Sequence, residues 1–429
     1  MVDYININLW GRQIGAAVWN ERTGFATFEY APEFVAHSGL EVAPLTMPLA
    51  EGRTYSFGEL NRTTFKGLPG LLADSLPDKF GNAVINSWLA CQGRLPDSYN
   101  SLERLLYLGS RCMGALTFEP AEAVTIPMTD RLEIDELVAS AGEILSDRKR
   151  FATDLCDKTA GISQILQVGT SAGGARAKVV IAYNETTGEV RSGQTDAPIG
   201  FSHWLLKLDG VKDGALGDPA HFGRIEYAYY KMATAAGIDM TECRLLEEND
   251  RAHFMTRRFD RINGNDRVHT QTLCGIAHFD YNLPQAYSYE QLFQVMRALH
   301  LPYTAAEQMF RRMVFNVVAR NQDDHTKNTT FLMNQQGEWS LAPAYDMTFA
   351  YNPSGDYTAH HQMTINGKSD RFTKNDLFAV AKQIHVKRPQ MILEEVVDSV
   401  SQWSSIAKAC GVSASQISSI AASHLLKIM

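Results

Sequence analysis

A short acidic segment in the C-terminal half constrains the fold of this chain more than any other feature. Residues 323–328 read Asp-Asp-His-Thr-Lys-Asn, and a further aspartate, Asp346, lies in the string Ala-Tyr-Asp-Met. An apolar stripe at helical spacing, from Met309 to Val318, leads into this segment. Asn-Gln-Gln-Gly at 334–337, between two strand-like runs, is typical of a β-hairpin. The sequence therefore predicts a helix, a loop and a hairpin that can carry Asp346 back over the loop.

The residue types in this segment suit phosphoryl transfer. A carboxylate at Asp323 can orient and deprotonate a hydroxyl nucleophile, while Asn328 and Asp346 can hold Mg²⁺ against nucleotide phosphates. The spacing from Asp323 to Asn328 is that of the protein-kinase catalytic loop. Asn-Gln stands in front of Asp323 where that loop usually has His-Arg, so the match is one of spacing and chemistry. Asp323 is preferred over Asp324 as the base because only Asp323 has the asparagine at the required spacing.

Two other interpretations of the same residues are open. Asp and Asn side chains often cap helices and turns, so the cluster could be structural. His325 and Asp324 are also residue types that bind metals in hydrolases. Adjacent residues rarely point at one ion, however, and no second histidine cluster has helical ligand spacing. The hairpin and Asp346 favour phosphoryl transfer.

Length and composition set the frame for the rest of the chain. The 429 residues suffice for two or three domains. A formal net charge of −8 argues against a broad nucleic-acid surface on the chain itself. The N-terminus lacks a basic region followed by an apolar run, no stretch approaches a membrane span, and the six cysteines form no CxxC pair. We therefore expect a cytoplasmic protein with reduced thiols, no membrane contact and no zinc site.

The chain divides by pattern into three parts. Residues 1–125 combine short alternating strands with helices, and residues 126–265 carry strand-like runs at 178–183 and 203–208 and a helix over 222–236. Residues 266–429 are mostly helical in pattern. A sheet-rich middle followed by a helical block is the plan of kinases. The predicted class is α+β: a two-lobed, protein-kinase-like fold with an extra N-terminal α/β subdomain and a mostly helical C-terminal lobe.

Residues upstream of the acidic segment could bind a nucleotide. A loop over 169–178 contains three glycines, which allow backbone N–H groups close to phosphate oxygens, although it matches neither Walker A nor Gly-x-Gly-x-x-Gly. Lys207 lies in an apolar strand on the face opposite Trp204, where it could reach phosphates or simply extend to solvent. Glu226 on the next helix could pair with this lysine or lie on a solvated face. Residues 257–261 could form the hinge between lobes or an ordinary surface.

These segments together resemble the HipA family of toxin serine/threonine kinases, the toxin half of bacterial type II toxin–antitoxin pairs. The resemblance rests on Gly-Gly-Ala-Arg-Ala-Lys at 173–178, Arg-Phe-Asp-Arg at 258–261, the segment at 323–328, and Ala-Pro-Ala-Tyr-Asp at 342–346. Gly-Leu-Pro-Gly-Leu-Leu at 67–72 is similar to the family's N-terminal region. The similarity spans most of the chain.

The resemblance implies a role for each matching position. It implies that Asp323 is the catalytic carboxylate, that Asn328 and Asp346 bind Mg²⁺, and that Ser171 is autophosphorylated, with Thr170 as an adjacent alternative. A phosphoserine would add about −1.5 to −2 charges to a loop that cradles an anion, so it would repel the nucleotide. The implied ATP-binding residues are Lys207, Gly173, Gly174, Ala175, Arg257 and Phe259.

The resemblance also implies partners. Members act on proteins, including aminoacyl-tRNA synthetases, and pair with a small helix-turn-helix antitoxin of the HipB type. That antitoxin binds operator DNA and brings the toxin to it, which would reconcile an acidic chain with a DNA-bound complex. Two further functions remain possible at this point: a kinase-fold module that only serves as corepressor with the antitoxin, and a small-molecule kinase.

Overall fold

A computed structural model describes residues 4–77, 79–121, 131–146, 176–211, 222–355 and 357–428, together with Ile165 and Val168. These residues form two compact units. The described residues of 1–43, 47–221 and 246–270 make up the first unit, and those of 44–46, 222–245 and 271–429 the second. The sequence-based division into 1–125, 126–265 and 266–429 stays a prediction.

The first unit begins with an antiparallel sheet whose strands alternate between core and surface. Ile5 and Ile7 are fully buried on β1, and the turn to β2 uses positive φ at Trp10 (50°) and Gly11 (76°), as tight hairpins require. The sheet has the order β4-β3-β2-β1-β5. Its strands are β1 (Tyr4–Leu9), β2 (Arg12–Asn20), β3 (Phe25–Tyr30), β4 (Thr54–Tyr55) and β5 (Leu116–Glu119).

Helices accompany this sheet in the same unit. Pro77 separates α3 from α4, as expected for a residue that interrupts a helix. A capping box between Asn100 and Glu103 starts α5. The helices are α1 (Pro32–His37), α2 (Arg62–Phe65), α3 (Gly70–Ala73), α4 (Lys79–Cys91), α5 (Ser101–Leu108) and α6 (Ile134–Ser146), with a 3₁₀ turn at Pro96–Ser98.

A second antiparallel sheet in the first unit has the order β7-β6-β8-β10-β9. The register places Lys178 opposite Lys207, and Lys207 opposite Phe254. A short hairpin, β11 paired with β12, follows the sheet. The strands are β6 (Lys178–Tyr183), β7 (Val190–Ser192), β8 (Ser202–Lys207), β9 (Cys243–Glu248, of which residues from 246 belong to this unit), β10 (Arg251–Arg257), β11 (Arg261–Ile262) and β12 (Asp266–Arg267).

The second unit is built mainly of helices around one apolar core. Tyr229, Phe310, Val314 and Trp403 lie at its centre with at most 1% exposure. The helices are α7 (Phe222–Ala235), α8 (Leu273–Ala277), α9 (Tyr289–Ala298), α10 (Tyr303–Val318), α11 (Lys374–Gln383), α12 (Pro389–Ser401), α13 (Trp403–Ala409) and α14 (Ala414–Ala421). Strand β13 (His269–Thr272) lies where the two units divide in sequence, and β14 (Thr330–Met333) pairs with β15 (Trp339–Leu341) as a hairpin.

The mixed helix-and-sheet architecture confirms the predicted α+β class. The helix over 303–318 and the hairpin around 334–337 both form where the acidic segment required them. None of the helices in the described part of the chain is both long and apolar enough to cross a membrane.

Candidate active site

The loop that carries Asp323 begins at the buried end of α10. Arg320 adopts a left-handed conformation (φ 57°), which turns the chain out of the helix. The backbone N–H of Asn321 then donates to the carbonyl of Asn316, and that of Gln322 to the carbonyl of Ala350. The apolar stripe of the helix therefore fixes where the polar loop starts.

Asp323 and Asn328 are brought together by a direct hydrogen bond. The Nδ2 atom of Asn328 donates to the backbone carbonyl of Asp323 over 2.7 Å, and residues 326–328 form a 3₁₀ turn that closes the loop. The Asp323 side chain is 49% exposed. An amide side chain binds a cation through its carbonyl oxygen. The hydrogen bond uses Nδ2 of Asn328 as the donor, so Oδ1 is the atom that this amide can offer to a cation.

The hairpin carries Asp346 back to the same loop. The hydroxyl of Tyr345 donates to the Lys327 carbonyl over 2.5 Å and contacts the Thr330 hydroxyl at 2.6 Å. This links the immediate neighbours of Asn328 and Asp346. Asp346 itself adopts a left-handed φ of 52°, an uncommon conformation for a non-glycine residue, of the kind that concentrates at functional sites.

Asp324 points away from the exposed carboxylate beside it. Its side chain is 1% exposed and accepts hydrogen bonds from the Tyr289 hydroxyl, from Nδ1 of His361 and from the backbone N–H of Gln362, each at 2.8 Å. Burial opposes ionisation, but the attraction of His361 and these donors outweigh it and lower the pKa of Asp324. Asp324 is therefore held as a buried carboxylate.

His325 and Lys327 contact an aromatic side chain from the preceding loop. The ring centroids of His325 and Tyr281 lie 5.5 Å apart, and Nζ of Lys327 lies 4.8 Å from the centroid of Tyr281. The Thr326 hydroxyl donates to the Phe279 carbonyl over 2.6 Å. These contacts hold the middle of the loop, which agrees with a role in shaping it.

In the first unit, the second antiparallel sheet positions Lys207. Trp204 and Leu206 are buried while Lys207 is partly exposed, so the lysine lies on the opposite face, as the strand pattern predicts. Its Nζ lies 5.6 Å from the centroid of Phe254 on the neighbouring strand. Lys178, opposite Lys207 in register, is only 4% exposed. The sheet thus places two cations side by side.

The predicted hinge residues lie at the end of β10. Arg257 is exposed and Phe259 is partly buried. Around Phe259, Arg258 forms a bidentate pair with Asp260 (2.9 and 2.7 Å), and Arg261 donates to the same carboxylate at 2.8 Å. The backbone N–H of Gly114 also donates to Asp260, over 2.7 Å. The motif at 258–261 is therefore a buried ionic cluster that also joins the loop at 114.

Several sequence predictions remain untested. Ser171, Gly173, Gly174, Ala175 and the alternative Thr170 lie outside the described residues. Glu226 is buried on α7 in the second unit and Lys207 belongs to the first, so their pairing stays a prediction. Within the described ranges, no three His, Cys, Asp or Glu side chains are grouped to hold a metal ion.

The sequence did not reveal the residues that support the loop. Tyr345 lies next to a predicted ligand, and its place in Ala-Tyr-Asp was the available signal. Tyr289 and His361 are distant in sequence from Asp324, by 35 and 37 residues, and no local spacing marks them.

Comparisons with known proteins agree with this architecture. The family model for the HipA N-terminal domain matches residues 5–119, and that for the HipA-like C-terminal domain matches residues 170–417. A candidate kinase of Sinorhizobium fredii, Y4mE, is 28% identical over 132 residues, which are 28% of this chain and 31% of that protein. The match thus spans about a third of this relative's length.

A solved structure extends the likeness to nearly the whole chain. The HipA of Shewanella oneidensis, solved in a toxin–antitoxin complex with HipB and operator DNA, superposes with a TM-score of 0.67 at 15% identity. The superposition covers 97% of this chain and 94% of that one. This likeness confirms the predicted α+β fold. The C-terminal model alone covers more than half of the sequence. The chain therefore belongs to the HipA family.

Proposed function

We propose that this chain is an ATP- and Mg²⁺-dependent protein serine/threonine kinase that acts as the toxin of a toxin–antitoxin pair. The observation that carries the proposal is the hydrogen bond from the Asn328 amide to the Asp323 carbonyl, which fixes a candidate base and a candidate metal ligand in one loop. Tyr345 ties the segment of Asp346 to the same loop. If the acidic segment only capped helices and turns, the chain after the β14–β15 hairpin would not need to return to it.

The donor set fits Mg²⁺. The amide oxygen of Asn328 and the carboxylate of Asp346 are hard oxygen ligands, which Mg²⁺ prefers, and one or two protein ligands beside phosphate oxygens are its usual share. Bound there, Mg²⁺ would neutralise charge on the phosphates of ATP. Asp323 accepts the proton of the substrate hydroxyl as the new O–P bond forms and the bond to the leaving ADP oxygen breaks.

The first unit supplies candidate nucleotide contacts. Lys207, partly exposed on the face of its strand opposite Trp204, would offer an ammonium to the phosphates. Arg257 and the backbone around Phe259 would hold the adenine. The residues on either side of Phe259, Arg258 and Asp260, are hydrogen-bonded to each other, and Asp260 also accepts from the Gly114 N–H, so this stretch of backbone is held in place. Gly173, Gly174 and Ala175 would cradle the phosphates.

Self-modification and partnership belong to the same proposal. Ser171 would be the autophosphorylated residue, and a phosphate there would repel bound nucleotide. The solved relative from Shewanella oneidensis binds HipB and operator DNA. By the same arrangement, a helix-turn-helix antitoxin would bring this acidic chain to an operator, and the chain would need no broad basic surface of its own.

Transfer of label from [γ-³²P]ATP by the purified full-length chain tests the activity. The wild type is expected to label itself and an added protein acceptor in Mg²⁺, and Asp323→Asn to lose transfer by about 10²-fold or more, in line with the loss of a general base. Asp398→Asn, an exposed aspartate on α12, removes the same charge and should retain full activity.

Nucleotide binding is checked separately by thermal unfolding. Mg-ATP should raise the melting temperature of the wild type and of Asp323→Asn alike, because ligand that binds the folded state stabilises it. A wild type that neither shifts with Mg-ATP nor transfers phosphate would indicate a corepressor module. Equal transfer by the wild type and Asp323→Asn would refute the catalytic assignment. Peptide mapping of labelled chain distinguishes Ser171 from Thr170.

A further inference from the structure

We propose that Asp324 is a positioning residue, which locks the candidate catalytic loop onto α9 through a hydrogen bond from Tyr289, and onto the segment that follows Asp346 through hydrogen bonds from His361 and Gln362. The inference rests on the proposed kinase function for its kinetic consequence. Its structural content, that one buried carboxylate ties two segments together, is tested independently of activity.

The carboxylate of Asp324 uses both oxygens. Oδ2 accepts from the Tyr289 hydroxyl and from Nδ1 of His361, and Oδ1 accepts from the backbone N–H of Gln362. Bonds to an ionised, buried acceptor are among the stronger hydrogen bonds in proteins. Since Asp324 is 1% exposed, water cannot replace a lost donor without opening the loop.

One side of this network reaches the helices beneath the loop. Tyr289, in the first turn of α9, accepts a hydrogen bond from Nδ2 of Asn316 on α10 over 3.0 Å. The Oδ1 atom of Asn316 in turn accepts from Nδ2 of Asn321 over 2.9 Å. Asp324 is thus joined to α9, to α10 and to the start of its own loop.

The other side reaches the chain beyond Asp346. The backbone of Gln362 is held at its carbonyl by the N–H of Gln285 (2.7 Å), and the N–H of His361 donates to the Ser369 carbonyl (2.9 Å). The His361 ring packs edge-on against Phe372, 5.2 Å between centroids. Nδ1–H of His361 must be the donor to Asp324, because a carboxylate only accepts.

The lock acts on Asp323 through the backbone. Asp323 is 49% exposed while its neighbour is 1% exposed, so the two side chains leave the chain in opposite directions. With Asp324 held inward, the carboxylate of Asp323 is held outward. Tyr345 fastens the loop from before Asp346, and His361 and Gln362 fasten it from after that residue.

A matched pair of variants tests the lock. His361→Asn keeps a donor near the position of Nδ1, whereas His361→Leu removes the donor at similar volume. We expect His361→Leu to lower kcat for phosphoryl transfer by about 10- to 100-fold, since small displacements of a reacting group are costly. KM for ATP should stay within about twofold because Lys207 and the hinge belong to another part of the chain. His361→Asn should recover most of the rate.

Amide hydrogen exchange reads the position of the loop without requiring activity. In His361→Leu, the amides of Asn328 and Gln362 should exchange about tenfold faster or more, and in His361→Asn close to the wild-type rate. Unchanged exchange in His361→Leu, or equal effects of both variants, would overturn the positioning role. If the wild type transfers no phosphate but exchange separates the two variants, the lock stands and the kinase proposal fails.

Discussion

Asp260 shows how one residue can join two distant stretches of the first unit. Its fully buried carboxylate accepts hydrogen bonds from the guanidinium groups of Arg258 and Arg261 and from the Gly114 N–H. Arg261 also donates to the carbonyls of Gly114 and Cys112. Burial works against its charge, but the two guanidinium groups outweigh it and hold the pKa of Asp260 far below its usual value. The family motif at 258–261 therefore has a structural task beside any contact with adenine.

Asp260→Asn should strongly destabilise the protein. The substitution leaves two buried arginines without their counter-charge, and breaking a buried ion pair from one side costs about 3–5 kcal/mol. Urea unfolding at pH 7 measures the change. Asp266→Asn, an exposed aspartate a few residues away, is the control and should stay within about 0.5 kcal/mol of the wild type. Equal stability of both variants would contradict the ionic cluster.

At the level of single residues, spacing distinguished Asp323 from Asp324, and the structure gives the two side chains opposite environments. The spacing of five residues from Asp323 to Asn328 is a local property, so it could be read from the sequence. The partners of Asp324 come from 35 or more residues away, and Gly114, one partner of Asp260, comes from 146 residues away, so only the folded chain brings them near. Long-range polar contacts of this kind leave no periodic pattern.

Among the elements, the helices and strands with a clear apolar period were predicted well. Strand β6 runs over 178–183, as expected, and α7 ends one residue before the predicted Ala236, ahead of Gly237 with its φ of 76°. The sequence did not predict that Tyr229 on α7 joins the end of α10 to the chain after α14. Its hydroxyl donates to the Ala319 carbonyl (2.6 Å) and contacts Nε2 of His424 (3.0 Å).

Tyr229→Phe should loosen the start of the candidate catalytic loop. The change leaves the buried Ala319 carbonyl and His424 without this hydroxyl, at a cost of about 1–3 kcal/mol for an unsatisfied buried group. Chemical unfolding gives the free energy, and hydrogen exchange at Asn321 shows whether the loss is local. Tyr230→Phe, on the same helix and partly exposed, should have a much smaller effect. If Tyr230→Phe lowered the free energy of unfolding as much as Tyr229→Phe, the buried contacts of the Tyr229 hydroxyl would not be the cause of the loss.

At the scale of the whole molecule, buried histidines make stability depend on pH. Burial lowers the pKa of His269 to about 3, and burial together with Arg320 lowers that of His424 to about 4. Burial also lowers the pKa of His203 and of His253. Between these values and the ordinary pKa of about 6.5, the unfolded chain binds more protons than the folded one.

Stability should therefore fall steadily as pH drops from about 6.5 to about 4, before most carboxylates titrate. Asp260 and Asp324, whose folded pKa values are depressed, add a further loss below about pH 4. Melting temperatures measured from pH 7.5 to pH 4 provide the check. His269→Gln should flatten the upper part of this slope, and a wild-type curve without slope above pH 5 would contradict the prediction.

The hydrogen bond from Asn328 to the Asp323 carbonyl also explains why an amide, and not a second carboxylate, suits this position. A carboxylate would bind Mg²⁺ at least as well, but it has no N–H to donate and would face the carbonyl oxygen with negative charge. If Asn328 and Asp323 have the proposed roles, replacing the asparagine by aspartate would strengthen the binding of Mg²⁺ while releasing the proposed base from its place. The loop's own architecture, more than affinity for the ion, selects the residue at 328.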